Sequence, residues 1–162
     1  MKHFTSLRKS ELNKKEEFLS LAGYATNERQ ERRKGSGGTQ EFFTPFKLVK
    51  KMADKIPEEK WSDISANFLE PSFGNGQFVI YIIYNKIIHG STWIDALKHT
   101  WGVELIKDNV KETHHRIHEL LKQMNINYDK EQAQHILNHN LVCSDFFKWD
   151  YENWKPINNA LF

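Results

Sequence analysis

A short apolar segment that runs through a glycine turn into a long apolar helix decides the fold: NFLEPSFGNGQFVIYIIYNK, residues 67–86. Residues 67–70 have the length and composition of a buried strand, and residues 77–89 predict an apolar helix that Gly90 closes. Gly74 and Gly76 allow the backbone to turn sharply between the two elements. Strand, tight turn and helix in this order indicate a βαβ unit.

The same alternation continues on both sides of this segment. Pro45 stands at the start of a helix whose apolar positions end before Pro57. The later elements expected are a short helix at 93–99, a strand at 101–105, helices at 107–124 and 130–138, and a strand at 141–145. Strands that alternate with helices imply right-handed crossovers. We therefore expect an α/β fold with a doubly wound, mostly parallel Rossmann-like sheet, whose fourth strand begins at 157–162.

Composition restricts the classes of protein to consider. The 162 residues are 39% hydrophobic and include eleven Phe and five Trp, which suffices for one domain with a core. The longest apolar run, 78–84, is too short to span a bilayer, and no secretory signal precedes it. Cys143, the single cysteine, excludes an intrachain disulfide, and we expect it in the core. A cytoplasmic protein without membrane association is expected.

Charge divides the chain into two regions. Residues 1–38 contain nine Lys/Arg and five Glu, whereas residues 39–162 contain 14 Lys/Arg and 16 Asp/Glu. A polar helix at 6–22 and the glycine-rich stretch 35–38 predict a basic helical arm with a linker over 1–38, and a compact domain over 39–162. The arm could contact nucleic-acid phosphate, or it could be a solvated helix.

An acidic residue stands within one residue of the end of each predicted strand: Glu70, Glu104 and Asp145. In open α/β sheets, ligands bind beyond the carboxyl ends of the strands. The loop 70–76 precedes a helix whose free N–H groups suit a carboxylate or a phosphate. A tight turn without a ligand is the alternative for this loop.

The other two strand ends suit an adenosine. Glu104 could accept hydrogen bonds from both ribose hydroxyls, and it follows Gly76 by 28 residues because a short extra helix intervenes. Asp145 could accept from an adenine amino group while Phe146 offers a stacking face. The alternatives are a solvated carboxylate at Glu104, and a helix cap beside a core phenylalanine at Asp145–Phe146.

NAD, ATP and S-adenosylmethionine all contain adenosine, and the sequence of the loop 70–76 indicates which of them fits best. The third glycine of a dinucleotide fingerprint is missing after Gly76, and no Gly-Lys-Ser/Thr triplet occurs. Glu70 would repel a pyrophosphate but attract the ammonium of a methionyl group. The residues favour S-adenosylmethionine as the cofactor.

Four segments in order resemble the motifs of the N6-adenine-specific DNA methyltransferases, which are class I S-adenosylmethionine-dependent enzymes. They are QEFFTP (40–45), FLEPSFGNGQF (68–78), GVEL with KDNV (102–105 and 107–110) and CSDF (143–146). The resemblance implies DNA as partner and adenine as substrate. The cofactor would contact Thr44, Pro45, Glu70, Pro71, Phe73, Gly74, Asn75, Gly76, Glu104, Leu105, Asp145 and Phe146.

The family's catalytic tetrapeptide, Asn/Asp/Ser-Pro-Pro-Tyr/Phe, does not occur in these residues. The four prolines are isolated from one another, and residues 157–162 read as the beginning of the strand that would lead to the tetrapeptide. We therefore expect the cofactor-binding part of an enzyme, with no catalytic residue in this chain and no methyl transfer by it alone. A complementary chain could supply the motif.

Other functions remain open from the sequence. The chain could be a non-catalytic S-adenosylmethionine-binding module or a subunit of a split methyltransferase, and a dehydrogenase-type nucleotide domain is a third possibility. The pairs His114/His118 and His135/His139 have the i, i+4 spacing of zinc ligands. No third ligand stands near either pair, so solvated histidines are favoured over a metal site.

Overall fold

The computed structural model describes residues 44–157. Six α-helices, three parallel strands and a small hairpin occur in this range. In chain order they are α1 (Phe46–Ala53), α2 (Glu58–Ser62), β1 (Phe68–Glu70), α3 (Gln77–Ile88), α4 (Trp93–Lys98), β2 (Thr100–Glu104), α5 (Lys107–Gln123), α6 (Lys130–Asn140), β3 (Leu141–Cys143), a 3₁₀ turn (Phe146–Lys148), β4 (Trp149–Asp150) and β5 (Lys155–Pro156).

The main sheet is parallel, with the strand order β1-β2-β3. Glu70 lies beside Gly102, and Glu104 lies beside Cys143. Parallel pairing places the carboxyl ends of the three strands at one edge, as the sequence predicted. The fold is a mixed α/β fold compatible with a Rossmann-like sheet. Strand order does not reverse within 44–157, so the doubly wound sheet stays a prediction.

Helix α3 lies at the centre of the packing. Nine of its twelve residues are buried, which explains why it is apolar around its whole circumference. Val79, Ile80 and Ile83 join the main core with α4, α5 and α6. Tyr81 and Ile82 form a second core with α1, α2 and residues near β1. The helix that begins at the glycine loop is therefore held on two sides.

The region before β1 differs from the prediction. Helix α1 ends at Ala53, and Pro57 begins α2 as its N-cap residue instead of closing α1. Proline is favoured at helix starts because its φ is fixed near the helical value and its missing N–H would have no partner there. Trp61 of this unpredicted helix is buried and stacks on Phe68, with 4.9 Å between ring centroids.

A buried lysine fixes the connection from α2 to β1. The Lys86 side chain in α3 is fully buried, and its Nζ donates to the carbonyl oxygens of Asp63, Ile64 and Ala66 at 3.0–3.3 Å. Burial lowers the pKa of this ammonium. The three carbonyls replace the water that the charge loses, so Lys86 holds the entry into β1.

The segment after β3 also differs. Strand β3 ends at Cys143 rather than at 145, and Cys143 is exposed instead of lying in the core. The chain then forms the hairpin β4–β5, which the sequence did not predict. The ring of Trp154 lies 4.8 Å from that of Trp101, so the hairpin packs against the β2 face that carries Trp101.

Several predictions lie outside the described residues: the basic arm and linker over 1–38, the segment 40–43 and the fourth strand beyond 157. Among the described helices, none has the length and apolarity to cross a bilayer.

Candidate functional site

The loop between β1 and α3 depends on two glycines in the left-handed region. Gly74 has φ +53° and Gly76 has φ +88°, where residues with a Cβ are strained. A Cβ on Gly76 would also lie 2.5 Å from Cγ2 and 2.7 Å from Oγ1 of Thr113. Gly76 is the N-cap of α3, and its N–H donates to the carbonyl of Phe73 at 2.8 Å. The loop is thus pressed closely against α5.

Glu104 connects the end of β2 to this loop. Its Oε2 accepts from the Gly74 N–H at 2.8 Å, and its Oε1 accepts from the Ile106 N–H at 2.9 Å and from Asn109 Nδ2 at 3.3 Å. The side chain is 5% exposed. The glycine loop and the acidic end of β2, which are two parts of the predicted site, are therefore in direct contact. A carboxylate oxygen has two lone pairs, so Oε2 can accept one further hydrogen bond, such as one from a ribose hydroxyl.

Asn75 carries the clearest sign of a missing partner. Its side chain is fully buried, and neither Nδ2 nor Oδ1 has a hydrogen-bond partner. Nε2 of the neighbouring Gln77 is also buried without a partner. An unsatisfied buried polar group costs about 1–3 kcal/mol, so such groups call for an explanation. They lie where α3 begins and its first N–H groups lack helical partners. The unsatisfied groups therefore stand at the N-terminus of α3, the end of a helix that favours an anion.

Arg116 of α5 places a positive charge beside the same loop. It donates to the Asn75 carbonyl and, at 3.2 Å, to Gln77 Oε1. Burial lowers its pKa to about 10, partly offset by the charge of Glu112, so it stays protonated at neutral pH. The sequence reasoning missed this residue. One signal was available, because Arg116 is the only arginine after residue 38.

The residues that open the loop have mixed surroundings. Glu70 is half-buried and accepts from the Ser72 N–H at 3.3 Å, and desolvation raises its pKa. Pro71 is exposed. Phe73 is 4% exposed and belongs to the main core, with its ring at the position that a Gly102 side chain would occupy. Phe73 therefore anchors the loop through its ring, and its backbone N–H and carbonyl are also engaged, by the Val103 carbonyl at 3.4 Å and the Gly76 N–H at 2.8 Å.

Thr44 and Pro45 stand at the start of α1, with Pro45 as its N-cap. Phe46, the next residue, packs on Tyr81 of α3, with 5.8 Å between ring centroids. The Thr-Pro turn and the glycine loop are thus attached to one helix.

At the third strand end, Asp145 acts as a helix cap, which was the alternative to an adenine contact. Its Oδ1 accepts from the Phe147 N–H at 3.0 Å and caps the 3₁₀ turn. Phe146 is 39% exposed and packs on Tyr151, with 5.0 Å between ring centroids. Leu105 and Phe147 are 67% and 86% exposed. An apolar surface with aromatic faces therefore lies next to the carboxyl edge, and the sequence missed the exposure of Phe147.

Of the two histidine pairs, His114 and His118 belong to a hydrogen-bonded network, whereas His139 contacts Asn140 Oδ1 at 2.7 Å. Gln134 bridges the rings of His114 and His118 at 3.0 and 3.1 Å, and His118 also contacts the Tyr128 hydroxyl at 3.0 Å. Within residues 44–157, no three His, Cys, Asp or Glu side chains are grouped closely enough to hold a metal ion.

Comparisons of the chain with protein-family models, curated proteins and solved structures found no match.

Proposed function

We propose that this chain binds S-adenosylmethionine at the carboxyl edge of its sheet, as the cofactor-binding part of a DNA N6-adenine methyltransferase. The observation that carries the proposal is the junction of two motifs 30 residues apart, in which the Gly74 N–H donates to the Glu104 carboxylate at 2.8 Å. It brings a glycine turn, a helix N-terminus and an acidic strand end together. These are the parts that the sequence assigned to one ligand.

The residues present fit the groups of this cofactor. The amino acid carboxylate suits the N-terminus of α3, where Asn75 lacks partners and Arg116 adds positive charge. Glu70 suits the ammonium. The open lone pair of Glu104 suits a ribose hydroxyl, and the half-exposed ring of Phe146 offers a face to adenine. When bound, the cofactor supplies an electrophilic methyl group.

The choice among adenosine ligands depends on the loop sequence. A pyrophosphate would meet the Glu70 carboxylate, and the third glycine that usually accommodates a dinucleotide is replaced after Gly76. Arg116 would suit a phosphate as well as a carboxylate, so Arg116 does not separate the two classes. Glu70 and the missing glycine favour S-adenosylmethionine over NAD or ATP.

Titration calorimetry with S-adenosylmethionine, NAD and ATP tests the proposal. We expect binding of S-adenosylmethionine alone, weakened in Glu104→Gln and unchanged in Glu131→Gln, the same substitution at an exposed position of α6. Circular dichroism of both variants checks that they are folded. Binding of NAD without S-adenosylmethionine would refute the ligand, and equal binding by both variants would refute the site.

A second candidate is a binding module that does not transfer the methyl group itself. It is favoured by the absence of any Pro-Pro pair from the 162 residues, since the family's catalytic tetrapeptide contains one. The test is incorporation of labelled methyl groups into DNA by the purified polypeptide. Incorporation would exclude the module, whereas incorporation only after adding a chain that carries the tetrapeptide would favour a split enzyme.

A further inference from the structure

A cleft between α5 and α6 is separate from the candidate cofactor site. Its volume is about 400 Å³. On α5, the residues that meet the glycine loop or Glu104 are Asn109, Thr113 and Arg116, at helical spacing. The cleft is lined by a different stripe of the same helix, which includes Lys111, His115, His118 and Lys122. One stripe of α5 therefore contacts the glycine loop and Glu104, and another lines the cleft.

The floor of the cleft is a hydrogen-bonded network whose hydrogen positions follow from its acceptors. His114 Nε2 lies 3.2 Å from the Leu141 carbonyl, which can only accept, so this nitrogen carries the hydrogen. Burial lowers the pKa of His114 and favours the neutral ring, whose Nδ1 then accepts from Gln134 Nε2. The amide oxygen of Gln134 accordingly faces His118 Nε2. The floor groups are satisfied and hold the two helices in a fixed spacing.

The rim of the cleft is basic. Lys111, Lys122 and Lys130 line it and are exposed, while Glu119 is the single acidic lining residue and pairs with Lys122 at 2.7 Å. The local formal charge is +2, although residues 44–157 contain 14 Lys/Arg and 15 Asp/Glu in total. The residues that line the cleft are thus net positive on a body that is close to neutral.

This chemistry suits a phosphate group. Lysines act as point charges toward phosphate, and the exposed imidazole of His115 is a further polar lining group. No Phe, Tyr or Trp lines the cleft, so it offers no stacking platform for a base. We infer that the α5–α6 cleft binds a phosphate group without reading sequence, either in a polynucleotide backbone or as a free anion.

Two titrations of the full chain distinguish the sources: a labelled 20-base-pair DNA duplex followed by fluorescence anisotropy, and inorganic phosphate followed by the NMR signals of the histidine rings. The test variant replaces Lys111, Lys122 and Lys130 by Gln. The control variant replaces Lys47, Lys51 and Lys98 by Gln in the same way. These three lysines are exposed and lie away from the cleft, so the control lowers the net charge equally.

If the backbone is the source, the test variant weakens duplex binding about tenfold or more and reduces the salt slope by about 2–3, because each lost phosphate contact removes about 0.9. The control variant changes binding much less. If inorganic phosphate shifts the NMR signals of His115 and His118 and the duplex does not bind, the result supports a free anion as the ligand. Equal weakening by both variants, or no effect of either probe on the wild-type protein, overturns the inference.

Discussion

The substitution Gly76→Ala probes the closest approach in the candidate site. Two separate penalties are expected in the folded state. At φ +88° an alanine is left-handed, which costs roughly 1–2 kcal/mol. Its Cβ would also lie 2.5 Å from Thr113 Cγ2, and overpacking of this kind costs about 1–3 kcal/mol. The free energy of unfolding should therefore fall by about 2–5 kcal/mol.

Gly90→Ala is the matched control. Gly90 has φ +108°, and a Cβ there meets no atom within 4 Å. Both substitutions reduce the freedom of the unfolded chain equally, so that contribution cancels in the comparison. Gly90→Ala should cost only the backbone penalty, about 1–2 kcal/mol.

Urea unfolding followed by tryptophan fluorescence measures both variants, and Thr113→Ala provides the partner for a double-mutant cycle. In the Thr113→Ala background, Gly76→Ala should lose about 1–3 kcal/mol of its penalty, because the clashing Cγ2 and Oγ1 atoms are gone. If Gly76→Ala costs no more than Gly90→Ala, or if the cycle shows no coupling, the close packing of the loop on α5 is refuted.

Three further substitutions follow from the described contacts. Lys86→Met should destabilise the protein by about 2–4 kcal/mol, since it removes the hydrogen bonds to three carbonyl oxygens, of which only that of Asp63 keeps another donor, the Ala66 N–H, whereas Lys98→Met on the exposed side of α4 should change little. The pKa of His114 in the folded protein lies below the ordinary 6.5, so the free energy of unfolding of the wild-type protein should fall as the pH drops through 6.5 toward the lowered native pKa. His114→Gln should flatten this dependence on pH. An unchanged slope would contradict a neutral, buried His114. Trp154→Phe should cost about 0.5–1.5 kcal/mol beyond packing by losing its 2.6 Å bond to the His139 carbonyl; a variant whose urea denaturation curve coincides with that of the wild-type protein would contradict this.

Regular elements were predictable because their signals are local. The apolar run 77–89 and the glycine turn before it specify α3 and its start within one residue. The alignment of the three strand ends at one edge was predictable too, since parallel pairing follows from the alternation of strands and helices, although β3 ends two residues earlier than predicted. Pro57 was misread because proline both ends and begins helices, and only the burial of Trp61 against Phe68 decides between the two.

The candidate site was predictable as a set of positions but not as a set of contacts. Glu104 was expected to face a ribose, yet its burial beside the Gly74 and Ile106 N–H groups depends on how β2 lies next to the loop. Arg116 could not be assigned because its partners, Asn75 and Gln77, are about 40 residues away in sequence. The contact of Asp145, in contrast, is local, because its carboxylate caps the turn that begins at the next residue.

An amide-resolved NMR titration of the ¹⁵N-labelled protein with S-adenosylmethionine tests the proposed cofactor site most directly. We expect saturable shifts of the amide signals of Gly74, Asn75, Gly76 and Ile106. The first three residues form the loop that leads into α3, and the N–H groups of Gly74 and Ile106 donate to the Glu104 carboxylate. Signals of α6 (Lys130–Asn140) should stay in place. Shifts confined to other regions, or the same shifts with NAD and none with S-adenosylmethionine, would contradict the proposed site and ligand.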